Sequence, residues 1–385
     1  MAEFDPTAPL PEAPDPWAGS EMPAVRSGPP YAMTEMIAAE PALGERLVNR
    51  LTDDPALGAV TAALEAAAAE DRPIVTTGCG TSEHAAMIAA ALLTDALDGA
   101  TAWPMQALEV ARRPPQNGFL LGVSHEGGTW ATNEALKAAR AAGSAAALIT
   151  VSDRSPGAAL ADHLLATGEQ DQSWCHTVGY LSPVIVAAAL AAELKDAPLD
   201  PVIVRAVLDA ASDQEAAAET AAAALANCTR LLVVGSGIDY PAARELALKI
   251  EEGARLPATA LQLETIRHGH LAAVDERTGL VLILTDGEKW GETVIERSRA
   301  VLRSAAALGM PAAGIISADL GDDMPLTPAG RLSVPLARGL SRMASAGLAT
   351  AIPLQLLAER LARARGKNPD SIGRDDPRQA AAGDA

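Results

Sequence analysis

Two short apolar runs in this chain end in the same way. Residues 73–77 lead into Gly78-Cys79-Gly80-Thr81-Ser82, and residues 230–234 lead into Gly235-Ser236-Gly237, an offset of about 157 positions. A helical pattern follows each turn at once. Strands that feed helices through such turns predict a parallel sheet with helices packed on both faces, a three-layer α/β arrangement. The recurrence predicts two copies of that unit.

The rest of the chain fits the scheme. Residues 119–123 and 145–151 read as further strands, with helices over 82–97 and 130–142 and a long apolar helix over 178–194. KDAPLDP at 195–201 reads as a linker, followed by one helix over 202–226. Strands are then expected at 280–284, 312–316 and 331–334, and a long helix at 342–365. The two units thus take residues 31–195 and 202–365. Residues 1–30, rich in proline and acid, read as a disordered or surface-draped arm. Residues 31–69 read as two helices separated by Pro41, because the residue before a proline is pushed out of the helical region. Residues 366–385 form a tail without periodicity.

Composition excludes several function classes. The 385 residues are 49% hydrophobic, enough for two cores of ordinary size. A formal net charge of −19 repels a phosphate backbone, so nucleic acid is not an expected partner. Cys79, Cys175 and Cys228 lack CxxC spacing, which argues against a disulfide framework or a zinc site and fits a reducing cytoplasm. Neither a metal nor an organic cofactor is expected. Apolar stretches stay short of the ~18 residues a membrane span needs, and the acidic start lacks the charge and apolar run of a signal peptide.

Three stretches can carry chemistry. In Gly78-Cys79-Gly80 the glycines let the backbone approach an anion, the first amides of the next helix point at it, and Thr81 and Ser82 add hydroxyl donors. Steric demands of a tight turn would select the same glycines, and neither turn has the third glycine of a dinucleotide fingerprint. Ser124-His125-Glu126-Gly127-Gly128-Thr129 lies at the end of the next strand, at the sheet edge where ligands of such folds bind. Glu126 there would resist a dianion unless a protonated His125 offset it. The third stretch, residues 240–271, opens with a helix carrying Ala243, Leu246, Ala247 and Ile250 on one face and Glu245, Lys249 and Glu252 on a second stripe. It ends in Arg267-His268-Gly269-His270. A lysine, carboxylates and an imidazole supply acid–base chemistry on a carbonyl compound. The alternative is a solvated helix face with ion pairs and two loop histidines.

GCGTS after the first strand, S-x-x-G-x-T after the second, and YPxAxExALKxxE followed sixteen positions later by HG together resemble the tandem SIS (sugar isomerase) proteins. The likeness is closest to the isomerase half of glucosamine-6-phosphate synthase and to stand-alone sugar-phosphate isomerases and deaminases, and it covers residues 31–366. The resemblance implies two tandem SIS units acting on a small-molecule sugar or sugar phosphate, by aldose–ketose isomerisation or deamination of an aminosugar phosphate. It places substrate binding on Thr81, Ser82, Ser124, His125 and Thr129, with Cys79, Gly80 and Glu126 in the same loops. It makes Glu252 the proton shuttle, Lys249 its charged neighbour, and His268 the ring-opening group. In the family that histidine comes from the neighbouring subunit, which implies a homodimer with shared active sites. The second Gly-x-Gly turn is then structural.

The departures from the family pattern set the alternatives. S-Q-S-G-E-T has become S-H-E-G-G-T, so Glu126 stands where a phosphate-binding serine is usual. The tail offers Lys367, Arg374 and Arg378 but no lysine at the family's closing position, and a glutaminase domain is not encoded here. Residues 168–183 stand where the family has a substrate-lining loop, with Glu169, His176 and Thr177 as candidates. The competing readings are a non-catalytic sugar-phosphate sensor and an isomerase of an unphosphorylated sugar.

Overall fold

A computed structural model of the chain describes residues 4–15, 17–18, 26–285 and 291–383. They form two compact units. The first is built on Ala39–Asp171 and Val178–Ala206, and the second on Val207–Ala385 together with residues 22–38 and Gln172–Thr177.

The first unit follows two leading helices, α1 (Ala32–Thr52) and α2 (Pro55–Ala69). Its strands and helices then alternate as β1 (Ile74–Gly78), α3 (Thr81–Ala96), β2 (Ala102–Gln106), α4 (Ala107–Arg112) and β3 (Phe119–Val123). α5 (Trp130–Ala141), β4 (Ala145–Thr150), β5 (His163–Ala166) and α6 (Val178–Glu193) complete it. The sheet order is β2-β1-β3-β4-β5 with every pair parallel, and Ile74 registers between Ala102 and Phe119. Val75, Leu120, Leu136 and Leu148 share a buried cluster on one face. Burial of such side chains at ~1.5–3 kcal/mol each is what holds sheet and helices together.

The second unit runs through α7 (Pro201–Ser212), which carries the chain across from the first, α8 (Glu215–Leu225), β6 (Arg230–Val234), α9 (Asp239–Lys249), β7 (Ala258–Leu261) and β8 (Thr278–Leu284). α10 (Gly291–Ala307), β9 (Ala312–Ser317), β10 (Gly330–Val334), α11 (Arg342–Ala349), α12 (Ala351–Ala364) and α13 (Pro377–Gly383) follow. Its parallel sheet has the order β10-β9-β8-β6-β7, so β6, β8 and β9 take the places of β1, β3 and β4. The two-unit, three-layer α/β architecture is therefore as the sequence predicts.

Several local expectations are corrected. Pro41 lies inside α1 and does not break it. One lost backbone hydrogen bond is outweighed by burial of Met33, Met36, Ile37, Leu43, Leu47 and Leu51 along the helix. The actual break comes where Asp54 caps α2 through the amide of Ala56 and Pro55 takes the first helical position. The single helix expected over 202–226 is α7 and α8, interrupted at Gln214, whose side-chain oxygen accepts the amide of Ser333 in β10. The helix expected over 342–365 divides at Thr350 into α11 and α12.

Residues 4–15 of the N-terminal arm are ordered against the first unit. Leu10 and Ala13 are buried, the Leu10 amide donates to Glu169, and the Gln170 amide donates to the Pro11 carbonyl. Residues 1–3, 16 and 19–25 of the arm lie outside the described residues. The C-terminal tail is ordered too: the carboxylate of Asp370 accepts the amides of Ala32 and Met33 at 2.7 and 3.0 Å, capping α1. Among the described residues no helix is long and apolar enough to cross a membrane.

Candidate active site

The first-unit loops gather at the carboxyl ends of β1 and β3. A Cβ on Gly78 would lie 2.6 Å from the backbone of Ser82, and Gly80 has φ 57°, so both turn glycines are sterically required. The turn delivers Thr81 and Ser82 to the start of α3 with no side-chain cap on its amides. The Cys79 sulfur accepts from Gln106 Nε2 at 3.5 Å and from Thr132 Oγ1 at 4.0 Å, which ties this turn to the first turn of α5. Burial pushes the Cys79 thiol above its ordinary pKa. Ser124 Oγ and Thr129 Oγ1 are hydrogen-bonded at 3.3 Å. Cys79, Gly80, Thr81, Ser82, Ser124 and Thr129 thus share one sheet edge.

His125 is engaged within the first unit. It is buried, and its Nε2 accepts the amide of Asp171 at 3.0 Å. A ring nitrogen that accepts an N–H carries no proton. Its carbonyl accepts from the Val151 amide and from Thr150 Oγ1, which fixes the loop to β4. Glu126 Oε1 accepts from Gln170 Nε2 at 3.4 Å. Both oxygens of Glu169 are taken by Arg46, and one also by the Leu10 amide, so Glu169 pins the arm.

In the second unit the stripe on α9 is not a solvated face. Glu245 and Lys249 are fully buried, and Lys249 Nζ lies 3.6 Å from Glu245 Oε1 and 2.5 Å from Glu252 Oε2. Burial alone would lower the pKa of Lys249. The charges of Glu252 and Glu245 outweigh it and hold the ammonium well above its ordinary value. Beyond Lys249 the helix widens into a π-helical turn, Ile250–Ala254, which ends at Arg255 in the left-handed region with φ 52°. Turns of this kind recur at functional sites. Arg255 Nε and Arg365 Nε satisfy the carbonyls of Glu252 and Ala254. The buried thiol of Cys175 lies 3.6 Å from Glu252 Oε2, and burial pushes its pKa well up, so it stays protonated. The Glu252 side chain itself remains 24% exposed. This arrangement offers a carboxylate base backed by a buried ammonium.

His268 and Thr177 have partners outside that cluster. His268 is 73% exposed, with Nε2 3.1 Å from Glu264 Oε1. Thr177 is fully buried, and its carbonyl accepts from Gln355 Nε2. Cys175 was not predicted as a site residue: it is 77 residues from Glu252, a separation no local spacing reveals. Nor was the stacking of the Arg374 guanidinium 3.5 Å above the Trp174 ring. Among the described residues no group of His, Cys, Asp and Glu could hold a metal ion.

The second Gly-x-Gly turn is satisfied from within. A Cβ on Gly235 would lie 2.4 Å from the Asp239 carbonyl oxygen, and Gly237 has φ 59°. Ser236 Oγ accepts the Leu263 amide, and the buried Asp239 carboxylate accepts both the amide and the hydroxyl of Thr285 at the end of β8.

Residues 224–315 match the family model for the SIS domain. The chain is 29% identical over 368 residues to glutamine–fructose-6-phosphate aminotransferase [isomerizing] of Symbiobacterium thermophilum, covering 90% of this chain and 58% of that protein. It spans about half the length of the curated relatives it matches. In fold it is similar to the C-terminal domain of glucosamine-fructose-6-phosphate aminotransferase from Francisella tularensis, with TM-score 0.76, 20% identity, and 90% and 99% of the two chains covered. It is also similar to tagatose-6-phosphate ketose/aldose isomerase from Escherichia coli, with TM-score 0.70, 20% identity, and 89% and 95% covered. The chain thus carries a SIS domain and resembles the isomerase half of these aminotransferases.

Proposed function

We propose that this SIS-domain protein interconverts the aldose and ketose forms of a phosphosugar by moving a proton between C1 and C2. The observation that carries the reading is Glu252: partly exposed, braced by the buried Lys249, and set on a π-helical turn. Glu252 takes the proton next to the carbonyl, and the ammonium of Lys249 offsets the negative charge that develops. Thr81, Ser82, Ser124 and Thr129, with the uncapped amides of α3, bind the phosphate. With an aminosugar the same transfer passes through an enolamine, and loss of ammonia completes a deamination. His268 opens the sugar ring in the site of a second copy, so the active species is a homodimer. Its exposure supports that division. The names of the aminotransferase relatives support the substrate class.

Glu126, beside Ser124 in the loop assigned to the phosphate, favours a second reading in which the sugar is not phosphorylated. Incubation in heavy water with hexose, ketose and aminosugar phosphates, and with the free sugars, separates the two. Deuterium at C2 of a phosphorylated sugar, abolished by Glu252→Gln, is the expected result. Incorporation only into free sugars would select the second reading, and none into any would reject both.

A further inference from the structure

Glu252 presents its two oxygens unequally. Oε2 receives both Lys249 Nζ, at 2.5 Å, and the Cys175 thiol, at 3.6 Å. No described residue hydrogen-bonds Oε1. A thiol is a weak donor, but toward a carboxylate its hydrogen bond is charge-assisted, and burial keeps the proton on sulfur. We propose that Cys175 is a positioning residue: with Lys249 it anchors Oε2, so that Oε1 is the oxygen that carries the substrate proton.

This rests on the isomerase reading and assigns its proton to one atom. Oε1 takes the C2 proton as the C–H electron pair moves into the C1–C2 bond and the carbonyl π pair moves onto its oxygen. The C2 hydroxyl proton passes to the oxygen on C1, the C2–O electron pair closes the C2 carbonyl, and the C1–C2 π pair takes the proton back from Oε1 onto C1. A carboxylate tethered at one oxygen cannot turn its loaded oxygen away between the two half-steps. Near-attack geometry of this kind is lost through small displacements.

The other charged groups near Glu252 are otherwise engaged. Glu245 shares Lys249, and Arg255 holds the Glu252 carbonyl together with Ser371 and Asp375. On α12, Glu359 and Arg360 pair with one another and Arg365 holds the Ala254 carbonyl, while Asp370 caps α1. Cys175 is the neutral donor on the carboxylate.

Two measurements test the assignment. Cys175→Ala should lower kcat about tenfold with KM within about twofold, as a lost orientation does. Independently of activity, the S–H infrared band lost in Cys175→Ala should shift to higher wavenumber in Glu252→Gln, where the acceptor is weaker. Unchanged kcat in Cys175→Ala, or an S–H band indifferent to Glu252→Gln, would overturn the proposal. A band that shifts in a protein that turns over no sugar at all rejects the isomerase reading while upholding the thiol–carboxylate contact.

Discussion

The two Gly-x-Gly turns share a backbone and differ in what fills them. Gly80 and Gly237 have nearly the same φ, 57° and 59°, and Gly78 and Gly235 are both forbidden a Cβ by the helix turn that follows. In the first turn the positions after the glycines are Thr81 and Ser82, hydroxyls at an uncapped helix start. In the second they are Ile238 and Asp239, one buried and apolar, the other a carboxylate locked onto Thr285. A single anionic side chain closes the second turn onto β8. The second unit instead places its ionisable groups at the far end of the following helix, at Lys249 and Glu252. Duplicated geometry therefore marks where a ligand can bind, and the side chains decide whether it does.

Removing the base tests this division of labour most severely. Glu252→Gln should lower kcat by about 10³-fold, within the range for general acid–base groups, and leave sugar-phosphate affinity within a few fold. A parallel collapse of affinity in calorimetric titration would mean that Glu252 also binds the sugar phosphate.

Lys249→Met comes next. It leaves Glu245 buried without its countercharge and should cost about 3–5 kcal/mol in urea unfolding at neutral pH. The sign follows from a lysine whose folded-state pKa is raised. The stabilisation is complete below its unfolded value of about 10.4 and is lost only as pH rises beyond it. The gap between wild type and variant should therefore be flat through neutrality and narrow only in strong alkali.

Exchanging the roles of the turns is gentler. Asp239→Ala strands the Thr285 groups and should destabilise by about 1–3 kcal/mol with unchanged KM. Ser82→Ala should do the reverse, with stability within about 0.5 kcal/mol and KM raised several-fold. If Asp239→Ala changes KM, the second turn is not merely structural.

The smallest effect is expected from Glu126→Ser. An anion about 4 Å from a phosphate costs ~4 kcal/mol per pair of unit charges at an effective dielectric of 20. Glu126 is already held by Gln170, so tightening of hexose 6-phosphate binding by about threefold is the expected outcome. No change in calorimetric titration would remove Glu126 from substrate selection.

What could be read from the amino acids was whatever repeats or keeps a period. β1, β3, β6 and β8 are buried runs ending in turn residues, and their neighbours β4 and β9 are equally apolar. The strands β2, β5 and β7 escaped because they lie at sheet edges and lack that signal. β2 carries Pro104 and a Trp103 that is 61% exposed. The pairing of Lys249 with Glu252 could be expected because they sit three residues apart on one helical run. The contact His125 makes could not be read because its partner is an amide 46 residues away. Pro41 was misread because a local rule yields where a whole helix is buried.

The cap on α1 sets an order of events when the chain is made. Asp370 closes the first amides of a helix that begins 338 residues earlier. At ribosomal speeds of roughly 5–20 residues per second, that helix start waits on the order of tens of seconds for its partner. During that interval the first unit's residues are already synthesised, while the start of α1 must hold its amides in water. A nascent chain halted before residue 370 would present a frayed helix to the chaperones and proteases of the cell, and synthesis through Asp370 closes it.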